Sequence, residues 1–173
     1  MRTLRAALTA LAMIVAVALS GCAAGAGAPG TAAVVDGRSI SQAHLDRLVR
    51  VTGPYLNTPP AELTNLLLQV LIADKLSDKA VATKGLTISQ EEIDKQIASS
   101  PLRALAQDPE AREVAQAVGR WKVVTGRLSD DDQVSLVQGT PIVVDPRYGT
   151  WNPKEFGITP GNGSLSQLAS PRQ

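Results

Sequence analysis

The sequence predicts a mostly α-helical domain of about five helices, in which a short N-terminal strand pairs with a C-terminal strand. Two observations predict this fold. Apolar residues recur at helical spacing through the middle of the chain, and strand-like segments occur only near the ends of that region. A lone strand leaves its backbone groups unsatisfied, so residues 33–35 are expected to pair with residues 142–144.

Residues 1–21 have the form of an export signal. Arg2 and Arg5 supply a positive start, and residues 6–19 are apolar except for one threonine. This stretch is shorter than the roughly 18–20 residues that span a bilayer. The next residues, LSGC, resemble the lipobox of bacterial lipoprotein precursors. The resemblance implies cleavage by signal peptidase II between Gly21 and Cys22.

Cys22 is the only cysteine of the chain. The lipobox resemblance implies that its sulfur carries diacylglycerol, with fatty acids such as palmitate, and that its new amine is an N-acylation site. A thiolate is the nucleophile that thioether formation requires. The alternatives are a free cysteine within an ordinary cleaved leader and an uncleaved hydrophobic anchor. Lipidation predicts attachment to the cell membrane on its extracytoplasmic side.

Composition and charge exclude several classes of function. One cysteine permits no internal disulfide, and with His44 as the only histidine a Cys/His zinc site is excluded; no metal or other cofactor is expected. The formal charge of +1 argues against a nucleic-acid partner. Loss of Arg2 and Arg5 with the leader leaves 15 basic against 16 acidic residues. Acyl chains, rather than a basic patch, would therefore hold the protein at the membrane.

Residues 22–33 are predicted to comprise the lipidated cysteine and a flexible tether. Residues 23–33 (AAGAGAPGTAA) carry no charge and reach about 18 Å. Gly25, Gly27 and Gly30 match a G-x-G-x-x-G pattern. Because no strand precedes them, we interpret them as tether and not as a dinucleotide-binding loop.

The helical domain is predicted over residues 34–156 and begins with a strand and an Asp-Gly turn. Ser41 is predicted as the N-cap of a helix that ends near Val51. His44 lies in the first turn of that helix. We interpret it as a surface or capping residue and not as a catalyst.

The longest predicted helix has its N-cap at Thr58 and stops at Gly85. Residues 66–73, at its centre, are apolar nearly all round, which indicates burial by neighbours on several sides. Asp74 and Asp78 follow at helical spacing, each beside a lysine. We interpret them as a solvated pair and not as a catalytic dyad.

Two further helices have clear start signals. Ser89 and Glu92 form a capping box, and the helix that they open ends before Pro101. A short apolar turn follows over residues 102–106. Asp108 is predicted as the N-cap of the next helix. Its apolar stripe contains Val114, Ala117, Val118, Trp121, Val124 and Leu128, with Trp121 interpreted as a core residue.

The C-terminal part contains a short helix, the second strand and most of the aromatic residues. Residues 129–132 (SDDD) lack the alternating ligands of a calcium loop, so they are interpreted as the start of a helix to Val137. Three of the five aromatic residues fall within residues 148–156. Residues 157–173 are predicted to form a disordered tail.

Three stretches resemble, in order, the N-terminal chaperone domain of the SurA, PrsA and PpiD family of extracytoplasmic foldases. Residues 34–46 (VVDGRSISQAHLD) are similar to its strand, turn and first helix, and residues 84–93 (KGLTISQEEI) to its acidic capped helix. Residues 143–149 (VVDPRYG) resemble the turn that closes the module in lipoprotein members. The signature and length of a parvulin domain are missing, so prolyl isomerase activity is not expected.

The resemblance implies a membrane-anchored, chaperone-like lipoprotein that captures unfolded or partly folded exported proteins in an aliphatic cleft. No catalytic residue is expected, because there is no nucleophile elbow and His44 lacks a motif partner. The alternative is a structural or adaptor lipoprotein that binds one envelope partner through residues 148–156. For Tyr148 and Trp151, packing over the helix ends is favoured over partner contact.

Overall fold

An antiparallel hairpin opens the part of the chain that the computed structural model describes, residues 28–159. Strand β1 (Thr31–Val35) pairs with strand β2 (Arg38–Ser41) across a two-residue turn. The turn residues, Asp36 and Gly37, have positive φ angles of 50° and 76°. This conformation matches the right-handed twist of the flanking strands.

Strand β1 begins earlier than the sequence predicts. Residues 31–33, assigned to the tether, belong to the sheet, and both Ala32 and Ala33 are fully buried. Small side chains let this strand lie close to the helices. These residues are therefore buried without any bulky side chain. Their composition resembles that of a linker, which is why the sequence assigned them to the tether.

The two ends of the domain meet in one sheet, which confirms the predicted pairing. Strand β3 (Ile142–Val144) runs antiparallel to β1 with Val143 opposite Val34, and the strand order is β2-β1-β3. The N–H of Asp145 continues the ladder by donating to the carbonyl of Ala32 at 2.9 Å. Both strands thus have partners for their backbone groups.

Six α-helices lie between these strands in the described residues, where the sequence predicts about five. They are α1 (Gln42–Thr52), α2 (Pro60–Lys84), α3 (Gln90–Ala98), α4 (Arg103–Gln107), α5 (Arg112–Thr125) and α6 (Asp130–Gly139). The additional helix is α4, which occupies the stretch predicted as a short apolar turn. A 3₁₀ turn, Gly53–Tyr55, follows α1.

Predicted caps account for three helix ends, and Ser129, at the predicted start of α6, caps a fourth. The hydroxyls of Ser41, Ser89 and Ser129 each accept a hydrogen bond from the backbone N–H of the residue three positions later in the chain. At the start of α3 the Glu92 carboxylate accepts the N–H of Ser89 at 2.9 Å, which completes the capping box. Gly85 ends α2 in the left-handed conformation with φ 61°.

The predicted cap at Thr58 is wrong. Pro59 is the N-cap residue of α2, with φ −54° and ψ 141°, and no side chain caps this end. A residue that precedes proline is held in the extended region. Because Pro60 follows it, Pro59 stays outside the helix and separates Thr58 from the free N–H groups.

The predicted cap at Asp108 is also wrong, because α5 begins after Ala111. Asp108 instead stabilises the turn before the helix. Its Oδ1 accepts the N–H of Glu110 at 2.9 Å, and its Oδ2 accepts the hydroxyl of Tyr55 at 2.7 Å. These bonds use both carboxylate oxygens away from the first helical turn.

A second hairpin follows β3. Strand β4 (Thr150–Asn152) pairs antiparallel with strand β5 (Gly157–Thr159), so residues 157–159 are not part of a disordered tail. Gly149 has φ 120°, and a Cβ atom there would collide with the carbonyl oxygen of Thr159. Glycine therefore permits the close approach that lets this short hairpin form.

Helix α2 is the centre of the core and packs against α1, α5 and β1. Its buried residues include Leu63, Leu67, Leu68, Leu71, Ile72 and Leu76, but Leu66, within the stretch predicted to be buried on several sides, is 45% exposed. Within residues 28–159, no helix is both long enough and apolar enough to cross a membrane.

Arg147 connects the turn after β3 to the start of α1. Its Nε donates to Asp145 Oδ1 at 2.9 Å, and its Nη1 donates to Gln42 Oε1 at 2.8 Å. Asp145 is buried, and the hydrogen bonds from Arg147 lower the pKa of its carboxyl. The motif over residues 143–149 therefore closes the domain.

Candidate functional site

The predicted lipidation site lies outside the described residues. Neither Cys22 nor Gly21 is among residues 28–159, so the predictions of lipidation and of signal peptidase II cleavage stay predictions. The described chain begins at Ala28, close to the start of β1.

His44 lies on the surface of α1, half-buried, and contacts two side chains rather than solvent alone. Its Nε2 lies 2.7 Å from Glu113 Oε1, and its Nδ1 lies 3.1 Å from Arg47 Nη2. Arg47 also donates to Glu113 Oε2 at 2.9 Å. His44 therefore helps to join α1 to α5, a role that its sequence context did not predict.

The acidic start of α6 is occupied by capping and ion pairing. Ser129 accepts the N–H of Asp132, whose carboxylate lies 2.5 Å from Lys84 Nζ. Among residues 28–159, no group of three or more histidine, cysteine or acidic side chains is placed to hold a metal ion.

The aromatic residues of the second hairpin pack against the helices. The rings of Phe156 and Trp121 stack with centroids 5.1 Å apart, and Trp151 meets Phe156 edge-on at 5.4 Å. Tyr148 and Trp151 are half-buried against the core, in agreement with the packing interpretation. Beside this cluster lies a depression of about 380 Å³, bordered also by Pro153.

Three depressions adjoin one another along α5. The first, of about 380 Å³, lies between α2, α3 and α5; the second, of about 430 Å³, lies between α3, α4 and α5; the third, of about 210 Å³, also contacts β2 and α1. The first shares Gln90 and Gln116 with the second, and Leu71, Asp74 and Glu113 with the third. We call these three adjoining depressions together the α5 groove.

The floor of the α5 groove is aliphatic and its rim is polar. Leu71, Ile93, Ile97 and Ala117 line it and are buried among the helices. No phenylalanine, tyrosine or tryptophan side chain lines any of the three depressions. The groove therefore offers methyl and methylene groups to a ligand, with charged groups above them.

Asp78 pairs with arginines from distant elements and not with a neighbouring lysine. Its carboxylate lies 2.5 Å from Arg120 Nη1 and 3.1 Å from Arg38 Nη1. Lys79, the lysine beside it in sequence, instead pairs with Asp36 at 2.8 Å. The lysine beside Asp78 in sequence is therefore not its ion-pair partner, and the ion pairs of Asp78 cross from α2 to α5 and β2.

Asp74 has weaker partners than Asp78. Its closest cations are Arg120, at 3.5 Å, and Lys75, at 4.0 Å. Burial in the groove raises the pKa of the Asp74 carboxyl, and the charge of Asp78 raises it further, while Arg120 opposes both effects. Asp74 thus presents a partly desolvated and incompletely neutralised carboxylate to the groove.

The opposite part of the α5 groove is basic. Arg103 of α4 and Arg112 of α5 both line the second depression, together with one carboxylate, Asp94. Asp94 accepts a hydrogen bond from Gln90 at 2.8 Å. Among the described residues, neither arginine has a carboxylate within 4.0 Å; Arg112 donates to the carbonyl of Ala106.

Of the acidic and arginine residues of the groove, sequence reasoning singled out only Asp74, and it interpreted Asp74 as part of a solvated pair. A signal was available on α5, where Arg112, Gln116 and Arg120 recur every fourth residue on one polar face. That pattern indicates one face but does not reveal which helices border it. The placement of α3 and α4 beside this face makes it a groove.

These features define a class: a small helical domain whose terminal strands pair and whose surface carries a long groove with an aliphatic floor. The family model for the SurA-like N-terminal domain matches residues 1–110, more than half of the chain, and the chain belongs to this family. The family is associated with chaperone-like periplasmic proteins. Comparisons with curated proteins and with solved structures found no match.

The matched stretch ends just before α5. It includes the helices α2, α3 and α4, which form one side of the groove. Arg112, Glu113, Gln116 and Arg120 lie beyond it, on the helix that forms the other side. The charges that α5 contributes are therefore features of this chain outside the family match.

Proposed function

We propose that the protein is a membrane-anchored, extracytoplasmic, chaperone-like lipoprotein that holds exported proteins or assists their folding, without isomerase or other catalytic activity. The observation that carries the proposal is the α5 groove, on a domain of the SurA-like family. Its clients would be unfolded or partly folded chains. The sequence supports an anchor through acyl chains on Cys22.

An aliphatic groove suits weak and reversible capture. Full burial of one leucine or valine side chain of a client contributes about 1.5–3 kcal/mol. Ordering the captured segment costs about 1–2 kcal/mol per residue in backbone entropy. The small net gain lets clients leave, and dispersion contacts with methyl groups set no strict requirement on sequence.

The anchor would hold the domain where exported chains emerge. Each buried methylene of an acyl chain contributes about 0.8 kcal/mol, and two signals suffice for stable anchoring. Replacing Cys22 by alanine is therefore expected to release the protein from membranes in cell fractionation. Continued membrane retention of this variant would contradict lipid anchoring and leave an uncleaved apolar leader as the explanation.

Chaperone activity is tested with the purified full chain in lipid nanodiscs and several chemically denatured clients. The protein is expected to slow client aggregation, measured by light scattering, at near-stoichiometric ratio. Gln116→Trp, which fills the junction of two depressions, is expected to weaken this effect. Lys122→Trp is the matched control, because Lys122 is exposed on the same helix outside the groove. Equal activity of the two variants would exclude the groove as the capture site.

The second candidate function is an adaptor for one envelope partner. The observation that favours it is the depression beside Trp121 and Phe156, where Val134 is 51% exposed. Crosslinking in cells separates the two functions. Many heterogeneous adducts support a chaperone, whereas a single stoichiometric adduct that requires Val134 supports an adaptor.

A further inference from the structure

The two ends of the α5 groove differ in how far their charges are balanced. Asp74 and Glu113 line the part shared by the first and third depressions, where Arg120 and Lys75 also lie, whereas Arg103 and Arg112 line the second with Asp94 as its one carboxylate. Gln90 and Gln116 stand at the junction and are uncharged. A segment that occupied the whole groove would therefore meet two carboxylates with nearby cations at one end and two guanidinium groups at the other.

The charges differ in how far the protein itself neutralises them. Glu113 is held by His44 and Arg47 at 2.7 and 2.9 Å. Asp74 has no cation closer than 3.5 Å, since Arg120 approaches Asp78 more closely. Desolvation raises the pKa of the Asp74 carboxyl, which is consistent with a charge that lacks a close partner.

The basic end has the greater surplus. Arg103 is exposed and makes no ion pair among the described residues, and the only carboxylate in that depression, Asp94, accepts from Gln90. A guanidinium group offers five donors in a planar fork that matches a carboxylate. The partner group that fits this end is the carboxylate of an aspartate or glutamate.

We propose that the α5 groove selects extended polypeptide segments that carry a basic side chain and an acidic side chain separated by aliphatic residues. The basic group lies at Asp74, the acidic group at Arg103 and Arg112, and the aliphatic residues lie over Ile93 and Ala117. This proposal rests on the proposed chaperone function and specifies which client segments the groove takes. Complementary charge at both ends fixes the register of a segment that apolar contacts alone leave free to slide.

The test compares short fluorescent peptides of one aliphatic composition, bound to the full chain in nanodiscs and measured by anisotropy. One peptide carries lysine and glutamate at graded separations, and the others carry two lysines, two glutamates or two glutamines at the same positions. The lysine–glutamate peptide is expected to bind about fivefold more tightly than the glutamine peptide at its best separation. The preference is expected to vanish at roughly 0.5 M salt, where exposed charges are screened.

Two variants assign the basic end. Arg103→Glu is expected to remove the preference for the lysine–glutamate peptide and to favour the two-lysine peptide. Lys95→Glu makes the same charge change at an exposed residue of α3 outside the groove and is expected to change nothing. Thermal melts establish that both variants fold, since Arg103 forms no ion pair within the described part of the chain.

The outcomes separate this inference from the function on which it rests. Equal affinity for all four peptides, with client aggregation still suppressed, overturns the charge selection and leaves the chaperone function standing. If no peptide binds and the protein does not slow client aggregation, both the charge selection and the chaperone function are overturned. If Lys95→Glu loses the preference for the lysine–glutamate peptide as Arg103→Glu does, the assignment of this preference to the α5 groove is overturned. Long-range electrostatics would then explain the preference.

Discussion

Gly119 of α5 lies directly against Ile97 of α3. A Cβ atom built on Gly119 would meet Ile97 Cγ1 at 2.9 Å and the carbonyl oxygen of Ile93 at 3.1 Å. The two helices are thus closer than any side chain at this position would allow. Because α3 and α5 both border the α5 groove, this contact also sets the separation of its walls.

Replacing Gly119 by alanine is expected to lower the free energy of unfolding by as much as about 2 kcal/mol. The added methyl group gains helix propensity worth about 1 kcal/mol but overpacks a contact that costs about 1–3 kcal/mol. Overpacking prevails, because the backbone oxygen of Ile93 cannot move aside as a side chain can. Urea titration of the unfolding transition measures the difference.

Gly139→Ala is the matched control for Gly119→Ala. Gly139 is the last residue of α6, and a Cβ atom there meets nothing within 4 Å. We expect its stability to stay within about 0.5 kcal/mol of the parent chain. An unchanged or raised stability of Gly119→Ala would show that α3 and α5 can separate without cost, contrary to the packing described.

Local signals predicted the parts of the fold that depend on local chemistry. Ser41 and Ser89 cap helices because each hydroxyl lies next to the N–H groups that it satisfies. The pairing of β1 with β3 followed from backbone accounting, since two isolated strands need partners. The prediction of a cap at Thr58 was wrong because Pro60 holds Pro59 in the extended region, and this restriction outweighs the preference for a threonine cap.

Long-range pairing could not be predicted from one sequence. Asp78 has a lysine beside it along the chain, yet its partners are Arg120 and Arg38, which the fold brings from other elements. The α5 groove depends in the same way on where α3 and α4 lie. The second hairpin was missed because each of its strands has three residues, too few for a periodic pattern to emerge.

Glu92 is expected to stabilise the protein above about pH 4.5 and to lose this effect as the pH falls. Hydrogen bonds from Ser89, then the charge of Arg127, hold the pKa of the Glu92 carboxyl below its usual value of 4.5. A lowered pKa in the folded state means that the ionised group favours folding. Glu92→Gln should therefore lower the melting temperature at about pH 7, and the melting temperatures of the variant and the parent chain should converge at about pH 3.

Glu91→Gln is the control for this pH dependence, because Glu91 is exposed in the same first turn. Both substitutions remove one charge from the N-terminus of α3, so the helix dipole affects them alike. A larger loss near neutral pH for Glu92→Gln isolates the effect of the negative charge on the hydrogen bonds from Ser89 and Arg127. Equal losses in the two variants would assign the effect to the dipole alone.

Asp74→Asn is expected to raise stability near neutral pH, the opposite sign to Glu92→Gln. Burial, followed by repulsion from Asp78, raises the pKa of the Asp74 carboxyl above its usual value of 3.8. A raised pKa means that ionisation of this group opposes folding, so stability declines as the pH rises through that range. The gain should appear in melts near about pH 7 and disappear below about pH 3.

Asp46→Asn, on the exposed surface of α1, controls for the general loss of a negative charge. We expect that only Asp74→Asn gains thermal stability and that this variant binds the lysine–glutamate peptide more weakly. This combination is typical of a residue that serves binding at a cost in stability. Destabilisation of Asp74→Asn at neutral pH would mean instead that its contacts with Arg120 and Lys75 outweigh desolvation.

At position 156, substitution by glycine is expected to destabilise the protein less than substitution by alanine, which is the reverse of the usual order. The φ of Phe156, 48°, lies in the left-handed region, which costs a residue with a Cβ atom about 1–2 kcal/mol. Stacking on Trp121 and edge-on contact with Trp151 offset this strain. Both Phe156→Ala and Phe156→Gly lose these contacts, but only the glycine variant is relieved of the strain.

Phe156→Gly should therefore be more stable than Phe156→Ala by about 1 kcal/mol, although both are less stable than the parent chain. The same pair of substitutions at Thr150, an exposed residue of β4, should favour alanine, because glycine weakens a strand. Urea unfolding followed by tryptophan fluorescence compares the four variants. A more stable alanine variant at both positions would mean that Phe156 is held by its stacking without backbone strain.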